Sequence, residues 1–562
     1  MDHLYLTIIF LAPLLGASII VFLREEQKPL IRWIAAGSTA VSLFFSLIIL
    51  ILFDRAKGGI QFEVNVPWVK LLGISWHLGV DGIGMTMVLL TSFIIFTGVF
   101  VSFSIEKRVK EFFILLLVLV TGVYGVFTTL DLFFFYFFYE LAVIPMYLLI
   151  GVWGSTNKEY ATMKLTLYLT FGAVIALVPL LALYMVGEQV LGHYTFDLLE
   201  LGKVSYARGF QVAFFLPLLI GFGILVPMWP FHSWSPGGHA AAPSAVSMLH
   251  AGVLMKLGAY GIIRVAMFLF PEGAKFWLPV VAILCMANIL YGGYVAMSRQ
   301  DMKFMIGYSS SSHMGYVLLG MATLNIIAFN GAVLLMFAHG IMTGLAFALV
   351  GFIYDQSHTR LMPVQYGGRF GTDLANQNDP SQRKYPEISG LAKKLPFIGV
   401  CFVATGMASA GLPGFANFAS EFMILVGTFK VYPVQMILAT FGVVITAIYY
   451  IRAIRAVFFG QINAKWEKLQ DASNWVQRLP FVVLLSVLLI VGFYPSLLVN
   501  AIQSGTTVIL ERISQGGVGM ASLEGSSLKE PEKPDMKSLV ENSQVSDIIK
   551  RSPNDLDRLG RR

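Results

Sequence analysis

Apolar runs long enough to cross a lipid bilayer recur about fourteen times along this chain of 562 residues, and that recurrence leaves room for one class of fold. About 20 apolar residues span a hydrocarbon core roughly 30 Å thick. No water there satisfies backbone N–H and C=O groups, so each run must pair them internally as a helix. The runs centre near residues 13, 42, 94, 120, 142, 174, 219, 255, 286, 313, 341, 411, 443 and 490. Only 13% of residues are charged against 57% hydrophobic, and soluble proteins carry about twice that charged share. The chain reads as an all-α polytopic membrane protein with about 14 transmembrane helices.

The connections alternate in charge. Arg24, Lys28 and Arg32 follow the first run, Lys107, Arg108 and Lys110 the third, and Lys158 and Lys164 the fifth. Arg299 and Lys303 follow the ninth run, Arg360, Lys393 and Lys394 the eleventh, and Arg452 and Arg455 the thirteenth. Basic residues concentrate on cytoplasmic loops, so odd-numbered helices end in the cytoplasm and both termini fall on the non-cytoplasmic side. The same bias explains a net charge of +7 without nucleic acid as a partner. Cys285 and Cys401 lie far apart in apolar stretches and frame neither a disulfide nor a metal site. No phosphate loop, dinucleotide fingerprint or iron–sulfur spacing occurs, so no cofactor is expected in this chain. The run from Leu4 to Leu23 lacks a basic leader and a small-residue cleavage site, and reads as a retained first helix.

Within the apolar runs a few titratable residues stand out. Glu140 lies in DLFFFYFFYELAVIPMYLLIGVW, where the nearest charge is Asp131. At 1.5 Å per residue the two are roughly 13 Å apart, which places Glu140 near mid-membrane. An acid at that depth is costly unless protonated, paired or hydrated, and intramembrane acids default to ion or proton roles. Glu421 has the same standing. Lys256, in SMLHAGVLMKLGAYGIIR, reads as a relay group or as half of a structural ion pair. His313 in SSSSHMGY and His339 in MFAHGIMTG titrate near neutrality, and read equally as relay imidazoles or hydrogen-bonded packing groups. His232 and His239 read as an entry or a loop anchor, and Asp81 as a helix cap.

Two runs cannot be continuous. LVPMWPFHSWSPGGHAAAP carries Pro227, Pro230, Pro236 and Pro243, and ASAGLPGFANFASEF carries Gly411, Pro413 and Gly414. Proline removes an amide donor and clashes with the preceding turn. Paired breaks in corresponding halves point to a repeat around a hydrated cavity, although kinks alone also shape packing. The breaks fall in the seventh and twelfth runs, five apart.

The blocks LGVDGIG, FFYELAVIPMYLLIGVWG, PFHSW–PGGHAAAP, HAGVLMKLGAYGIIR, DMKFMIGYSSSSHMGYVLLG, AHGIMTGLAFALVGFIYDQSHTR and GLPGFANFASEFMILVGTF resemble the antiporter-like membrane subunits of bacterial NADH:quinone oxidoreductase (complex I), chain M type. These are shared more widely with Mrp-type cation/proton antiporters and membrane-bound hydrogenases. The resemblance covers about residues 1–500. It implies two inverted five-helix repeats with broken seventh and twelfth helices, and a line of membrane charges that moves protons as quinone is reduced elsewhere. It implies a multi-pass chain of the bacterial inner (plasma) membrane with antiporter-like membrane-arm subunits on both sides, and FMN, iron–sulfur clusters and quinone held in partner subunits. Carried over by position, Glu140 matches the fifth-helix glutamate, Lys256 the central lysine and Glu421 the twelfth-helix acid. Lys164, His313 and His339 match further positions along the axis, and Asp301 with Lys303 a structural loop pair.

Two positions depart from the family. A lysine is expected beside the seventh-helix break, and Leu225 stands there, so Glu140 lacks its expected partner. The first half-channel is then inactive, or His250 substitutes where the family has an aliphatic residue, or Lys164 or water suffices. Gly237 stands where an aspartate is usual. The expected organisation is residues 1–110 as three helices, 111–270 and 271–460 as the repeats, 461–512 as the last helix and 513–562 as a polar tail that is disordered or binds a neighbour. Rival readings are an Mrp-type or hydrogenase subunit, a stand-alone secondary transporter, and a mainly structural subunit.

Overall fold

The computed structural model describes residues 4–155, 157–363, 388–460, 462 and 464–516. Most of the connection at 354–394 and nearly all of the tail at 513–562 lie outside the described residues. In chain order the main helices are α1 (Leu4–Val21), α2 (Lys28–Leu52), α3 (Gly82–Val101), α4 (Val109–Thr128), α5 (Leu132–Trp153) and α6 (Lys158–Leu191). There follow α7 (Arg208–Leu225), α8 (Trp234–Ala241), α9 (Ser244–Met267), α10 (Pro271–Ser298), α11 (Met302–Ala322) and α12 (Ile326–Ser357). The last are α13 (Pro396–Ser409), α14 (Ala416–Val431), α15 (Pro433–Phe458), α16 (Trp475–Phe493) and α17 (Ser496–Ser514).

Among the described residues twelve helices are long and apolar enough to cross a membrane, and the chain is a predominantly helical, multi-span protein. The serine-rich α11 has the length, 21 residues, without the apolarity. The apolar spans of α9 and α12 are buried and form the centre of the packing, while the outer faces of α2, α6 and α15 stay exposed.

Both breaks lie where proline and glycine place them. The seventh run stops at Leu225 and resumes as α8, and the twelfth stops at Ser409 and resumes at Ala416. Gly411 and Gly414 take φ of +68° and +97° in that second gap, a left-handed backbone that glycine adopts without a steric penalty. The helix α9 is also irregular: His250–Leu254 and its last stretch, Ile262–Met267, are π-helical, a winding often found at functional sites.

Features recur five runs apart. Asp131 caps α5 through the Phe133 and Phe134 amides, and Asp301 caps α11 through Lys303 and Phe304. Each aspartate also bridges to backbone beyond the next helix, Asp131 to Asp197 and Asp301 to Leu361. Those intervening helices, α6 and α12, are the longest, 34 and 32 residues.

Two elements differ from the expectation. Residues 61–80 form an antiparallel hairpin, β1 (Gln61–Val69) with β2 (Ile74–Val80), a small two-stranded addition to the predominantly helical fold. QFEVNVPWV alternates polar with apolar and β-branched residues outside the long apolar runs, a strand pattern, and Gly73 at φ +64° closes the turn. The last expected segment holds two helices. α17 is amphipathic and lies over the hairpin side of the bundle: Arg512 donates to the carbonyls of Phe268 (2.6 Å) and Gly202, and Thr506 to Asn330.

Candidate functional site

The fully buried core of α9 places Lys256 with no exposed surface. A helical side chain leans toward the N-terminus of its own helix. Its ammonium group accordingly donates to the Ala251 carbonyl inside the π-helical turn, and lies 3.0 Å from His339 Nδ1 on α12. Among the described residues no carboxylate stands at ion-pair distance from Lys256, which removes the structural ion pair from its readings.

The line continues on α11. The rings of His339 and His313 are 5.0 Å apart, and His313 Nε2 is 3.4 Å from Glu421 Oε1 on α14. That contact lies outside hydrogen-bond geometry. His313 Nδ1 faces the Ser309 carbonyl at 2.8 Å, so Nδ1 carries a proton. Glu421 is 4% exposed and sits against the second break, where a Cβ on Gly411 would come within 2.8 Å of its Oε2.

On the other side of Lys256 stands His250, 1% exposed, stacked on Trp234 at 5.2 Å and 4.1 Å from the ring of His239. Neither His250 nitrogen has a hydrogen-bond partner. His239 contacts Ser235 Oγ at 3.0 Å through Nε2, and its Nδ1 is likewise unpartnered.

Glu140 and Lys164 are outside this line. Glu140 is half-buried on an α5 face beside the exposed Phe137 and Ile144, and makes no hydrogen bond or ion pair among the described residues. Lys164 is half-buried with its ammonium over the rings of Tyr160 and Tyr168. Leu225 is buried at the end of α7, and His250 has His239 and Trp234 as ring neighbours.

Structural charges occupy the two ends. Arg264 pairs with Asp81 at 2.5 Å, and Asp81 also caps α3 through Gly84, as expected. Arg360 pairs with Asp301 at 2.6 Å. The Lys303 ammonium donates to the Ala242 carbonyl at 2.7 Å, while its backbone amide donates to Asp301. On the hairpin side His77 contacts Asp197 at 2.5 Å and Glu63 at 2.9 Å. Burial alone would lower His77, but those two carboxylates outweigh it and raise its pKa above the ordinary value. Burial pushes Asp131 up to about 6 against three backbone amide donors.

A family profile described as NADH:quinone oxidoreductase/Mrp antiporter, TM, matches residues 129–446, a span that contains every member of the buried line. The chain belongs to this family. NADH-quinone oxidoreductase subunit M of Rhodobacter capsulatus is 36% identical over 508 residues, 88% of this chain and 94% of that protein. NAD(P)H-quinone oxidoreductase chain 4 1 of Synechococcus elongatus is 35% identical over 91% of this chain and 92% of its own length. A chain of respiratory complex I from Thermus thermophilus with bound NADH superposes with a TM-score of 0.78 at 25% identity, covering 92% of this chain and all of that one. A chain of the Mrp complex from Dietzia sp. DQ12-45-1b shares the fold, with a TM-score of 0.77 at 19% identity over 92% of this chain and 99% of that one.

Against this family background, the sequence alone pointed to every member of the line from Lys256 to Glu421. What it missed is the junction of His239 with His250. The signal was available as two histidines flanking the Pro-rich break, but nothing local says that the break folds back to stack one ring on the other. Among the described residues no group of three or more His, Cys, Asp or Glu could hold a metal ion.

Proposed function

We propose that this chain is the M-type antiporter-like subunit of a respiratory NADH:quinone oxidoreductase, moving protons across the membrane while quinone is reduced in neighbouring subunits. The observation that carries the proposal is the buried contact line Lys256–His339–His313–Glu421, built from four helices within the family span. FMN, iron–sulfur clusters and quinone belong to the partner subunits; this chain supplies only proton-carrying groups.

The chemistry follows from which atoms face each other. If Lys256 and His339 were both cationic, their repulsion would be on the order of 4 kcal/mol at 4 Å and an effective dielectric of 20. The pair therefore holds at most one excess proton, and when it holds one a shift along the 3.0 Å contact turns ammonium and imidazole into amine and imidazolium. A side-chain rotation or one bridging water spans the 5.0 Å ring separation to His313, and the last transfer is onto Glu421. No covalent intermediate is needed. Charge movement in a neighbouring subunit acts through Glu140, whose half-exposed position on the outer face of α5 suits an adjoining subunit, and through Lys164 close to it in the family pattern. In the absence of a lysine at Leu225, Glu140 answers to its neighbours and not to an internal partner.

The recurring devices support fourteen spans in two inverted repeats: capping aspartates at α5 and α11, long helices at α6 and α12, and breaks after α7 and α13. α7 with α8 and α13 with α14 each count as one span. Repeats over about 111–270 and 271–460 follow. The basic loops, including Lys107, Lys303 and Arg360, are assigned to the cytoplasm of a bacterial inner membrane, and the hairpin, α17 and both termini to the other side.

The test is to tag the chain, extract it in mild detergent and assay what co-purifies for NADH:quinone activity and for proton uptake after reconstitution. Co-purifying turnover with uptake supports the proposal. A complex without NADH oxidation transfers the chain to an Mrp-type antiporter or membrane-bound hydrogenase, and a chain that purifies alone and transports a solute overturns the reading.

A further inference from the structure

A cavity of about 420 Å³ opens where the last turns of α3 and α12 meet the first turn of α16, at the basic-loop end of the bundle. None of the relay residues lines it. Its apolar wall is aromatic, made by Phe100, Phe103, Phe352 and Phe481. The rings of Phe100 and Phe103 stack at 5.2 Å, and those of Phe352 and Phe481 meet edge to face at 5.9 Å. Trp33 of α2 stands edge-on to Phe100 and Phe103, and Trp475 lies 6.3 Å from Trp33. Both indoles are exposed, and tryptophan gathers where a membrane helix meets the headgroup layer.

The polar wall has two carboxylates and no basic side chain. Asp471 is committed to structure: its oxygens accept from the Phe397 and Ile398 amides at the start of α13, and from the Ala472 amide. Gln356 and Gln470 hold each other, the Gln356 amide group bonding both the carbonyl and the N–H of Gln470 at 3.0 Å. Asn474 caps α16 through the Gln477 amide. Asp355 is different. It is exposed, accepts one hydrogen bond, from Ser104 Oγ at 2.8 Å, and forms no ion pair among the described residues. The C-terminal ends of α3 and α12 add partial negative charge beside it, whereas α16 presents the positive end of its dipole. An ammonium group suits the Asp355 side, where carboxylate and aromatic faces both attract a cation. An anion suits the α16 side, where the first amides have no intrahelical acceptor.

We propose that this cavity seats the headgroup of an ethanolamine phospholipid, with its ammonium on Asp355 among the phenylalanine faces and its phosphate at the first turn of α16. The volume falls within the range of small-ligand sites, roughly 300–1,000 Å³. Two opposite charges meet in one cavity, so the ligand carries both in one short group. Its acyl chains run past the two indoles: the exposed side of α2 offers Trp33, Val41 and Phe44, and that of α16 offers Trp475 and Val482. A soluble zwitterion would make the same polar contacts and leave that apolar track bare. A phosphatidylglycerol brings phosphate without ammonium and leaves Asp355 unpaired. The proposal stands apart from the reading that the buried line carries protons.

The experiment uses the full chain, in the complex with which it extracts, placed in nanodiscs that contain a trace of phosphatidylethanolamine with a diazirine near its glycerol. Irradiation followed by peptide mapping reads where that lipid sits. The expected result is labelling concentrated in the peptides that wall the cavity, 352–356 and 470–481, competed by unlabelled phosphatidylethanolamine and not by phosphatidylglycerol. Asp355→Asn and Phe103→Leu should each lower this labelling several-fold, while labelling elsewhere on the chain stays as in wild type. Wild-type labelling in assembled Asp355→Asn, or equal competition by phosphatidylglycerol, overturns the proposal. Displacement by soluble phosphoethanolamine as readily as by the lipid assigns the cavity to a soluble ligand and also overturns it. The competition on the wild-type chain needs no variant, so a variant that fails to fold leaves that test decisive.

Discussion

Lys256 Nζ and His339 Nδ1, 83 residues apart in sequence, meet at 3.0 Å in the fully buried centre of the bundle, with no carboxylate beside them among the described residues. A lysine held this way has an imidazole lone pair as its proton acceptor and no counter-ion to trap the charge. Lys256→Met removes the donor and keeps the volume. The expected outcome is an assembled complex whose proton uptake per electron falls several-fold through this subunit, measured in proteoliposomes against the NADH:quinone rate.

The Arg264–Asp81 pair has a different use. Both side chains are buried, and Asp81 simultaneously caps α3. Removing one member of a buried pair strands the other charge, at a cost of about 3–5 kcal/mol. Arg264→Gln should therefore lower the thermal midpoint of the extracted complex and its yield, while whatever assembles keeps its proton-to-electron ratio. Thermal unfolding followed by tryptophan fluorescence checks the first part, and uptake in proteoliposomes the second.

At the second break, Gly411 combines a left-handed backbone with a space filled by Glu421 Oε2. Gly411→Ala costs about 1–2 kcal/mol in backbone strain and also drives the carboxylate away from its place near His313. Proton uptake should fall further than stability does. Comparing uptake with the thermal midpoint in Gly411→Ala and in Gly414→Ala, where a Cβ meets only Phe493 at 3.6 Å, separates the two effects.

Hairpin docking should weaken as pH rises. The pKa of His77 is raised by Asp197 and Glu63, so its stabilising contribution is full below its ordinary 6.5 and is lost as pH rises through the higher folded value. Asp131 is raised from 3.8 to about 6, so its contribution likewise is full below 3.8 and lost as pH rises through about 6. Hydrogen exchange of the β2 amides should be slower at pH 5.5 than at pH 8, after correction for intrinsic rates, and His77→Gln should flatten most of the difference.

The parts legible in the sequence were those written locally. Hydrocarbon length set the helices, Pro227, Pro230, Gly411 and Pro413 set the breaks, and an isolated charge in an apolar run marked Glu140, Lys256 and Glu421. What escaped depends on packing between distant segments. No local pattern says that Lys256 bends back to Ala251 and reaches His339, or that Trp234 folds onto His250, because π-helical winding and helix pairing are decided by tertiary contacts. The β1–β2 hairpin was missed for another reason: in a chain dominated by apolar helical runs, nine residues of alternating QFEVNVPWV were read only as a connection. α17 was absorbed into its apolar neighbour α16, although Gln503, Glu511 and Ser514 give it an exposed polar face.

Protons taken up per electron in proteoliposomes containing the intact complex with Glu421→Gln test the relay most directly. The account predicts an assembled complex that still reduces quinone with NADH but moves fewer protons per electron than wild type. An assembled Glu421→Gln complex with unchanged stoichiometry would contradict it, and would leave the buried line from Lys256 to Glu421 as packing.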